Sequence, residues 1–494
     1  MVMKRRSNSR VRPFPSEGRQ TIEPPAEATG LEHFHPLVAR WFRETFVQPT
    51  EAQRGAWESI ARRSSTLLLA PTGSGKTLAA FLVAIDRLAF AQSPPATPLP
   101  IPLPTQRVHT LYISPLKALG VDIARNLRAP LDGLRTLAER EQHPFREPTI
   151  GIRSGDTPTS ERNRLQCSPP DILITTPESL FLLLTSRART ALASVETVIV
   201  DEIHAMAATK RGAHLFVSLE RLESLRRHAD PAAPPLQRIG LSATQRPLEE
   251  IASLLGGAEI VDGAARPRPV EIVAASSRKT LRLSIETPLA DLLRAQNDSP
   301  PVKSDSLAPS LWPALHPRLV ELIRAHRGTL VFVNSRRLAE RIAAAVNAAA
   351  GEELALAHHG SLAKDTRLEI EERLKAGKLP ALIATSSLEL GIDVGTIDLV
   401  VQIESPPSIA AGLQRVGRAA HHVGGVPTGI VFPKYRGDLL ACAAAAARML
   451  EGSVEETFYP RNPLDVLAQQ LVAMVASRSD TVDVLYDTVR RAAP

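Results

Sequence analysis

The stretch Ala70-Pro71-Thr72-Gly73-Ser74-Gly75-Lys76-Thr77 constrains this chain more than any other. It follows an apolar run, Thr66 to Leu69, that reads as a buried strand. It precedes Leu78 to Phe90, where the apolar residues have helical spacing. A strand, a glycine-rich turn and a helix opening on Lys-Thr make the setting of a phosphate-binding loop. Gly73 and Gly75 let the backbone around Thr72 and Ser74 point its N–H groups inward at a phosphate chain, and the helix N-terminus adds partial positive charge. Lys76 is placed to reach the β- and γ-phosphates, and the Thr77 hydroxyl to ligate Mg²⁺. The alternative, a Gly/Ser turn beside a surface lysine, leaves the preceding strand and the Lys-Thr opening unexplained.

The 494 residues allow two or three domains, and 44% hydrophobic with 22% charged residues fits a soluble globular chain. No run approaches the ~20 apolar residues that a membrane span needs. Met1 to Arg12 is basic, with no apolar core behind it, so it reads as a disordered tail rather than a secretory signal. A net charge of +7 suits a polyanionic partner. The only cysteines, Cys167 and Cys442, fit a cytosolic, cytoplasmic protein and fall short of the roughly four ligands of an iron–sulfur cluster.

Order is expected from Leu31, with a helix over His35 to Phe46. Pro49-Thr50 then reads as a turn and N-cap, with Gln53 in the first turn of the next helix. A carboxamide has donor and acceptor, so Gln53 can pair with the two-sided edge of adenine; a plain capping role is the alternative. The proline-rich stretch Ala91 to Thr105 reads as a loop. Strands are expected over Val108–Ile113, Thr149–Ile152, Asp171–Thr175, Val195–Val200 and Arg238–Leu241, with one long helix from about Lys117 to Arg140. Polar clusters stand where strands give way to helices, which in a parallel sheet is the carboxyl edge where ligands bind. Asp201-Glu202-Ile203-His204 closes one strand. Asp201 is placed to hold Mg²⁺ and Glu202 to orient and deprotonate an attacking water; a solvated helix start is the alternative. Ser242-Ala243-Thr244 ends the next strand beside Asp201, where its hydroxyls could relay the state of the γ-phosphate.

A second α/β pattern runs from Pro317 to Phe432 without a second phosphate loop. The other half of the nucleotide site must then come from across a cleft. Gln414-Arg415-Val416-Gly417-Arg418 offers the donor: Arg418 as the arginine brought in by closure, Arg415 sharing the task, with a surface salt bridge as the alternative for either. His358-His359 reads as a loop pair contacting phosphate or backbone rather than a metal site.

Together APTGSGKT, DEIH, SAT, the Gln53 element and Gln414-Arg415-x-Gly417-Arg418 resemble superfamily 2 DEAD/DEAH-type helicases over residues 31 to about 440. More narrowly, SPLKALGVDIARNL, TTPESL, LVFVNSRRLAERI, TSSLELGIDVG and NPLDVLAQQ resemble the large helicase-related (Lhr) family. The resemblance implies two tandem RecA-like parallel-sheet domains followed by the start of a helical, winged-helix-like domain. The expected division is a basic tail 1–30, domain 1 over 31–265, a β excursion and linker over 266–315, domain 2 over 316–445 and an incomplete winged-helix-like segment over 446–494.

Members of that family are ATP-dependent helicases that move 3′-to-5′ on single-stranded DNA, unwind DNA and RNA–DNA duplexes and are linked to DNA repair. The resemblance implies that His204 couples the domains and that Pro115, Lys117, Thr157, Thr176, Ser335 and Thr385 line the strand's path. Gly391 and Asp393 would sit near the ribose. Two features depart from the family pattern: His421 stands where a second arginine is common, and the family continues past this point. Two other readings stay open, an ATP-gated clamp that does not translocate and an inactive binding remnant.

Overall fold

The computed structural model describes residues 30–71, 73–90, 107–243, 245–275, 280–287, 312–389, 395–419, 425–435 and 437–492. In the first lobe β1 (Thr66–Leu69), β2 (Thr110–Ile113), β4 (Ile172–Thr175), β5 (Thr197–Val200) and β6 (Gln237–Ser242) are buried along their whole length. Such strands read as continuous apolar runs because helices cover both faces of a parallel sheet. With the half-buried β3 (Ile150–Arg153) and with β9 (Glu271–Ala274), they form a seven-stranded sheet in the order β3-β4-β2-β5-β6-β1-β9. Every neighbouring pair is parallel. The period of two divides the side chains: Leu68, Tyr112, Ile174, Ile199 and Ile239 enter one core, and Leu67, Leu111, Leu173, Val198 and Val200 the other.

The second lobe repeats the plan. β10 (Arg282–Ile285), β11 (Thr329–Phe332), β12 (Ala355–His358), β13 (Ala381–Ala384), β14 (Leu399–Ile403) and β15 (Thr428–Phe432) give a six-stranded parallel sheet, order β10-β15-β14-β11-β13-β12. Only β7 (Ala258–Val261) and β8 (Ala264–Pro267) pair antiparallel among the described residues.

Three expectations are amended. The β excursion supplies an edge strand to each sheet, β9 beside β1 and β10 beside β15, while residues 288–311 of the expected linker lie outside the described residues. Both alternate between half-buried and exposed positions, as edge strands do, which is why their sequence pattern is weak. The long helix is two, Lys117–Asn126 and Arg128–Arg140, because Pro130 has no N–H to give to a helix continuing through Leu127. And the last helices, Leu464–Ser477 and Val482–Arg490, dock on the first lobe. Gln470, fully buried, donates to His214 O at 3.0 Å and Ser218 Oγ at 3.1 Å, and accepts from Arg221 Nη1 at 2.9 Å. No helix among the described residues is long and apolar enough to cross a membrane.

Candidate nucleotide site and nucleic-acid edge

The loop after β1 turns through Gly73 at φ 77° and Gly75 at φ 80°, conformations that an L side chain rarely adopts. A Cβ on Gly75 would also stand 2.5 Å from Gln53 Nε2, so the loop and Gln53 are in close contact. Gln53 is held by a reciprocal cap. Its Oε1 accepts from Thr50 N–H at 2.9 Å, and its own N–H donates to Thr50 Oγ1 at 3.3 Å. Thr50 Oγ1 in turn donates to Ser74 O at 2.9 Å, tying the cap to the loop. The capping role and a place beside the phosphate loop are thus both present at Gln53.

Lys76 opens the helix Lys76–Phe90 and is 7% exposed, yet its Nζ has no hydrogen-bond partner, nor has the buried Ser74 Oγ. A buried ammonium left unbonded is costly, so this cradle calls for an anion. Thr77 follows, half-buried.

Asp201 and Glu202 stand at the end of β5, two strands from β1 along the same sheet edge. Asp201 Oδ1 accepts from Glu202 N–H at 2.9 Å, and its Oδ2 accepts from the Tyr112 hydroxyl. Burial, then the neighbouring Glu202 charge, pushes the Asp201 carboxyl up to about 7, against the pull of Tyr112 and Lys76. A cation at Asp201 would favour its ionised form. The same burial raises the Tyr112 phenol, which keeps its proton and donates it. Glu202 sits at φ 46°, a left-handed backbone that is strained for a glutamate and common at functional sites. An orphaned ammonium, an adjacent hydroxyl and a paired carboxylate fit a nucleoside triphosphate, with Thr77 and Asp201 the residues that would hold an accompanying Mg²⁺.

His204 joins the lobes. Its Nδ1 lies 3.1 Å from Ser242 Oγ and accepts from Ala243 N–H at 3.3 Å, while its Nε2 lies 2.6 Å from Gln414 Nε2 in the second lobe. With Nδ1 accepting, the neutral ring carries its proton on Nε2, and a half-turn of the Gln414 carboxamide puts its oxygen there to accept it. Burial, offset in part by Glu202 and reinforced by Lys76, lowers the His204 pKa. A cleft cavity of about 430 Å³ opens here, lined by His204, Gln245, Glu389, Gln414 and Glu455 among others.

The two arginines differ. Arg415 is locked inside the second lobe: Nε donates to Glu389 Oε1 at 2.6 Å, and Nη1 to Asn334 Oδ1 at 3.0 Å and Gln402 Oε1 at 2.9 Å. Arg418, one helical turn beyond Gln414, donates from Nη2 to the Glu389 carbonyl at 2.7 Å. The adjacent histidines face carboxylates rather than a loop ligand: His358 meets Glu371 at 3.1 Å and Ser387 Oγ at 2.9 Å, and His359 meets Glu340 at 2.7 Å.

The residues expected along a nucleic-acid strand follow β2, β3, β4, β11 and β13, with β2 next to β5 in the first sheet. Lys117 is exposed and paired with Asp156, and Ser335 is exposed as the cap of the helix Arg336–Ala350. Pro115 is buried and Thr385 half-buried. Thr157 and Thr176 are buried with their hydroxyls engaged locally, Thr157 with Ser154 N–H at 2.9 Å and Thr176 with Ser179 N–H at 3.4 Å. Thr72, Thr244, Gly391, Asp393 and His421 lie outside the described residues. Sequence reasoning missed Tyr112, whose signal was a lone aromatic in an aliphatic strand, and left Gln414 without a role.

Models of known families match three segments: the DEAD/DEAH box helicase over residues 50–251, the helicase conserved C-terminal domain over 315–422, and the large helicase-related protein winged helix domain over 447–494. A Mycolicibacterium smegmatis protein named Lhr helicase/probable uracil glycosylase is 47% identical across 94% of this chain, and an Escherichia coli Lhr helicase/uracil glycosylase 44% across 93%. A Thermococcus barophilus ATP-dependent helicase Lhr-Core protein 2 is 41% identical across 92%. The chain spans 31% of each bacterial relative and 50% of the archaeal one. A solved structure of Mycobacterium smegmatis helicase Lhr bound to ssDNA and AMP-PNP superposes with a TM-score of 0.82 at 50% identity, covering 94% of this chain and 56% of that one. With two lobe models, a winged-helix model and these relatives in register along its length, the chain belongs to the large helicase-related family of DEAD/DEAH-box helicases.

Proposed function

We propose that this chain hydrolyses ATP at one site shared by its two lobes and uses the cycle to move along single-stranded DNA. The observation that carries the reading is the His204–Gln414 contact, which joins the acidic pair of one lobe to the arginine-bearing helix of the other. That the similar mycobacterial helicase was solved with ssDNA and AMP-PNP supports it.

In this reading Gln53 reads adenine, the loop amides and Lys76 hold the phosphates, and Gly391 and Asp393 approach the ribose. Thr77 and Asp201 would hold Mg²⁺, which would neutralise charge on the phosphates. Glu202 orients the attacking water and takes its proton. Arg418 turns from the Glu389 carbonyl to the γ-phosphate on closure, while Arg415 keeps Glu389 in place. Ser242 and Thr244 pass the phosphate state through His204 to Gln414. Lys117, Ser335 and Thr385 meet the strand's phosphates, with Pro115, Thr157 and Thr176 shaping its path. Polarity is 3′-to-5′, with DNA and RNA–DNA duplexes unwound, in a role in DNA repair.

The test is ATP turnover with and without single-stranded DNA, followed by strand displacement on 3′- and 5′-tailed duplexes. We expect stimulated turnover and displacement from the 3′ tail alone. Absence of turnover under both conditions overturns the reading; turnover without displacement supports an ATP-gated clamp instead.

A further inference from the structure

The helix Ile409–Val416 carries Gln414 and Arg415 and ends just before Arg418. Its first amides have no partner within the helix, as at every helix start. Ser408 Oγ accepts one, from Ala411 N–H at 3.1 Å. The next two go to a single carboxylate from far along the chain: Ile409 N–H donates to Glu455 Oε1 at 2.6 Å and Ala410 N–H to Glu455 Oε2 at 3.3 Å. A carboxylate there also meets the positive end of the helix dipole. The helix is fixed along its side as well, since a Cβ on Gly412 would meet Met449 Sδ at 2.7 Å.

Glu455 sits on a short strap between the lobes. Val454 is buried in a core of the second lobe and Tyr459 in a core of the first. Between them the Glu456 backbone forms a parallel β-bridge with Arg246, and Thr457 N–H donates to Arg246 O at 2.7 Å. Arg246 follows the Ser242-Ala243 strand end that touches His204. Val454, Glu455 and Thr457 line the cleft cavity with Gln245, which is 5% exposed and whose carboxamide atoms have no partner. The strap is therefore bonded at once to the helix start of one lobe and to the strand end of the other. The five residue steps from Val454 to Tyr459 reach at most about 18 Å, so the lobes can rotate about this strap but not part there.

We propose that Glu455 is a positioning residue for ATP hydrolysis, its carboxylate fixing the start of Ile409–Val416 and so aiming Gln414 and Arg418 across the cleft. The inference rests on the functional reading above. It goes further, because it makes the segment after the second lobe part of the device that sets the nucleotide site.

The test is steady-state hydrolysis by the full chain with saturating single-stranded DNA, for Glu455→Ala, Glu455→Asp, Gln414→Ala and Glu455→Ala combined with Gln414→Ala. Glu455→Ala should lower kcat about tenfold with KM for ATP and the melting temperature near wild type. Glu455→Asp keeps the charge but shortens the reach, and should lose about threefold in kcat alone. The double variant should lose little more than the worse single one, as expected of residues acting through one path. Wild-type kcat in either Glu455 variant, or full additivity of Glu455→Ala with Gln414→Ala in the double, overturns the inference while leaving the functional reading intact. A wild-type chain without ATP turnover overturns the functional reading and takes this inference with it.

Discussion

His204 Nε2 of the first lobe lies 2.6 Å from Gln414 Nε2 of the second, a direct polar link across the cleft. Behind it His204 Nδ1 faces Ser242 Oγ at 3.1 Å, and Glu202 Oε2 lies 3.5 Å away. In the proposed cycle a change at the γ-phosphate end would reach the second lobe through these two contacts. We expect Gln414→Ala and His204→Ala to keep nucleotide binding while losing most of the stimulation of ATP turnover by single-stranded DNA, about tenfold. Turnover titrated with DNA, beside equilibrium nucleotide binding, checks this.

Gln53 combines two roles that substitution separates. Glutamate satisfies the same reciprocal cap but has no amide N–H for adenine. Gln53→Glu should hold stability within about 0.5 kcal/mol and raise KM for ATP about tenfold, with weakened preference over GTP. Gln53→Ala should lose about 1 kcal/mol as well, because Thr50 N–H is left unpaired. Thermal denaturation and competition kinetics on both variants distinguish the two roles.

Much of this was legible in the residues themselves. Thr66–Leu69 and Thr428–Phe432 are apolar runs bounded by turns, and both are strands over those residues. Their burial makes the pattern strong. β9 and β10 were legible only as a β excursion without partners, because each is a half-exposed edge whose neighbour is remote in sequence, such as Leu67 for Ile272. Arg415 and Arg418 look alike in sequence. Only the fold distinguishes them, by bringing Glu389, Asn334 and Gln402 around Arg415. For the same reason His358 and His359 could not be assigned without Glu371 and Glu340, which helices bring to them.

Asp86 accepts from His35 N–H at 2.9 Å, and burial pushes its carboxyl up to about 6 despite that bond and the nearby Arg87. An acid whose pKa rises on folding binds its proton more tightly in the native state. Its contribution is complete below about pH 4 and is lost as pH rises through 6. Asparagine can accept the same bond without ionising. Asp86→Asn should therefore be more stable than wild type at pH 8, by up to about 2 kcal/mol, with the difference vanishing near pH 4. Paired denaturation curves across that range measure it.

Gln470 satisfies Arg221, whose guanidinium is brought down to about 10 by burial and by Arg189. Gln470→Leu leaves that charge buried without its acceptor. We expect a loss of about 2 kcal/mol confined to the docking of residues 464–490. Hydrogen exchange should show those helices opening while the strands of both lobes stay protected.

The central claim is that one nucleotide is shared by both lobes, with Arg418 reaching it from the second. ATP turnover and ATP affinity of Arg418→Ala, measured with saturating single-stranded DNA, test this most directly. We expect kcat to fall about a thousandfold with affinity changed only a few-fold, as for loss of an arginine that acts in the transition state. Turnover equal to wild type would contradict the account.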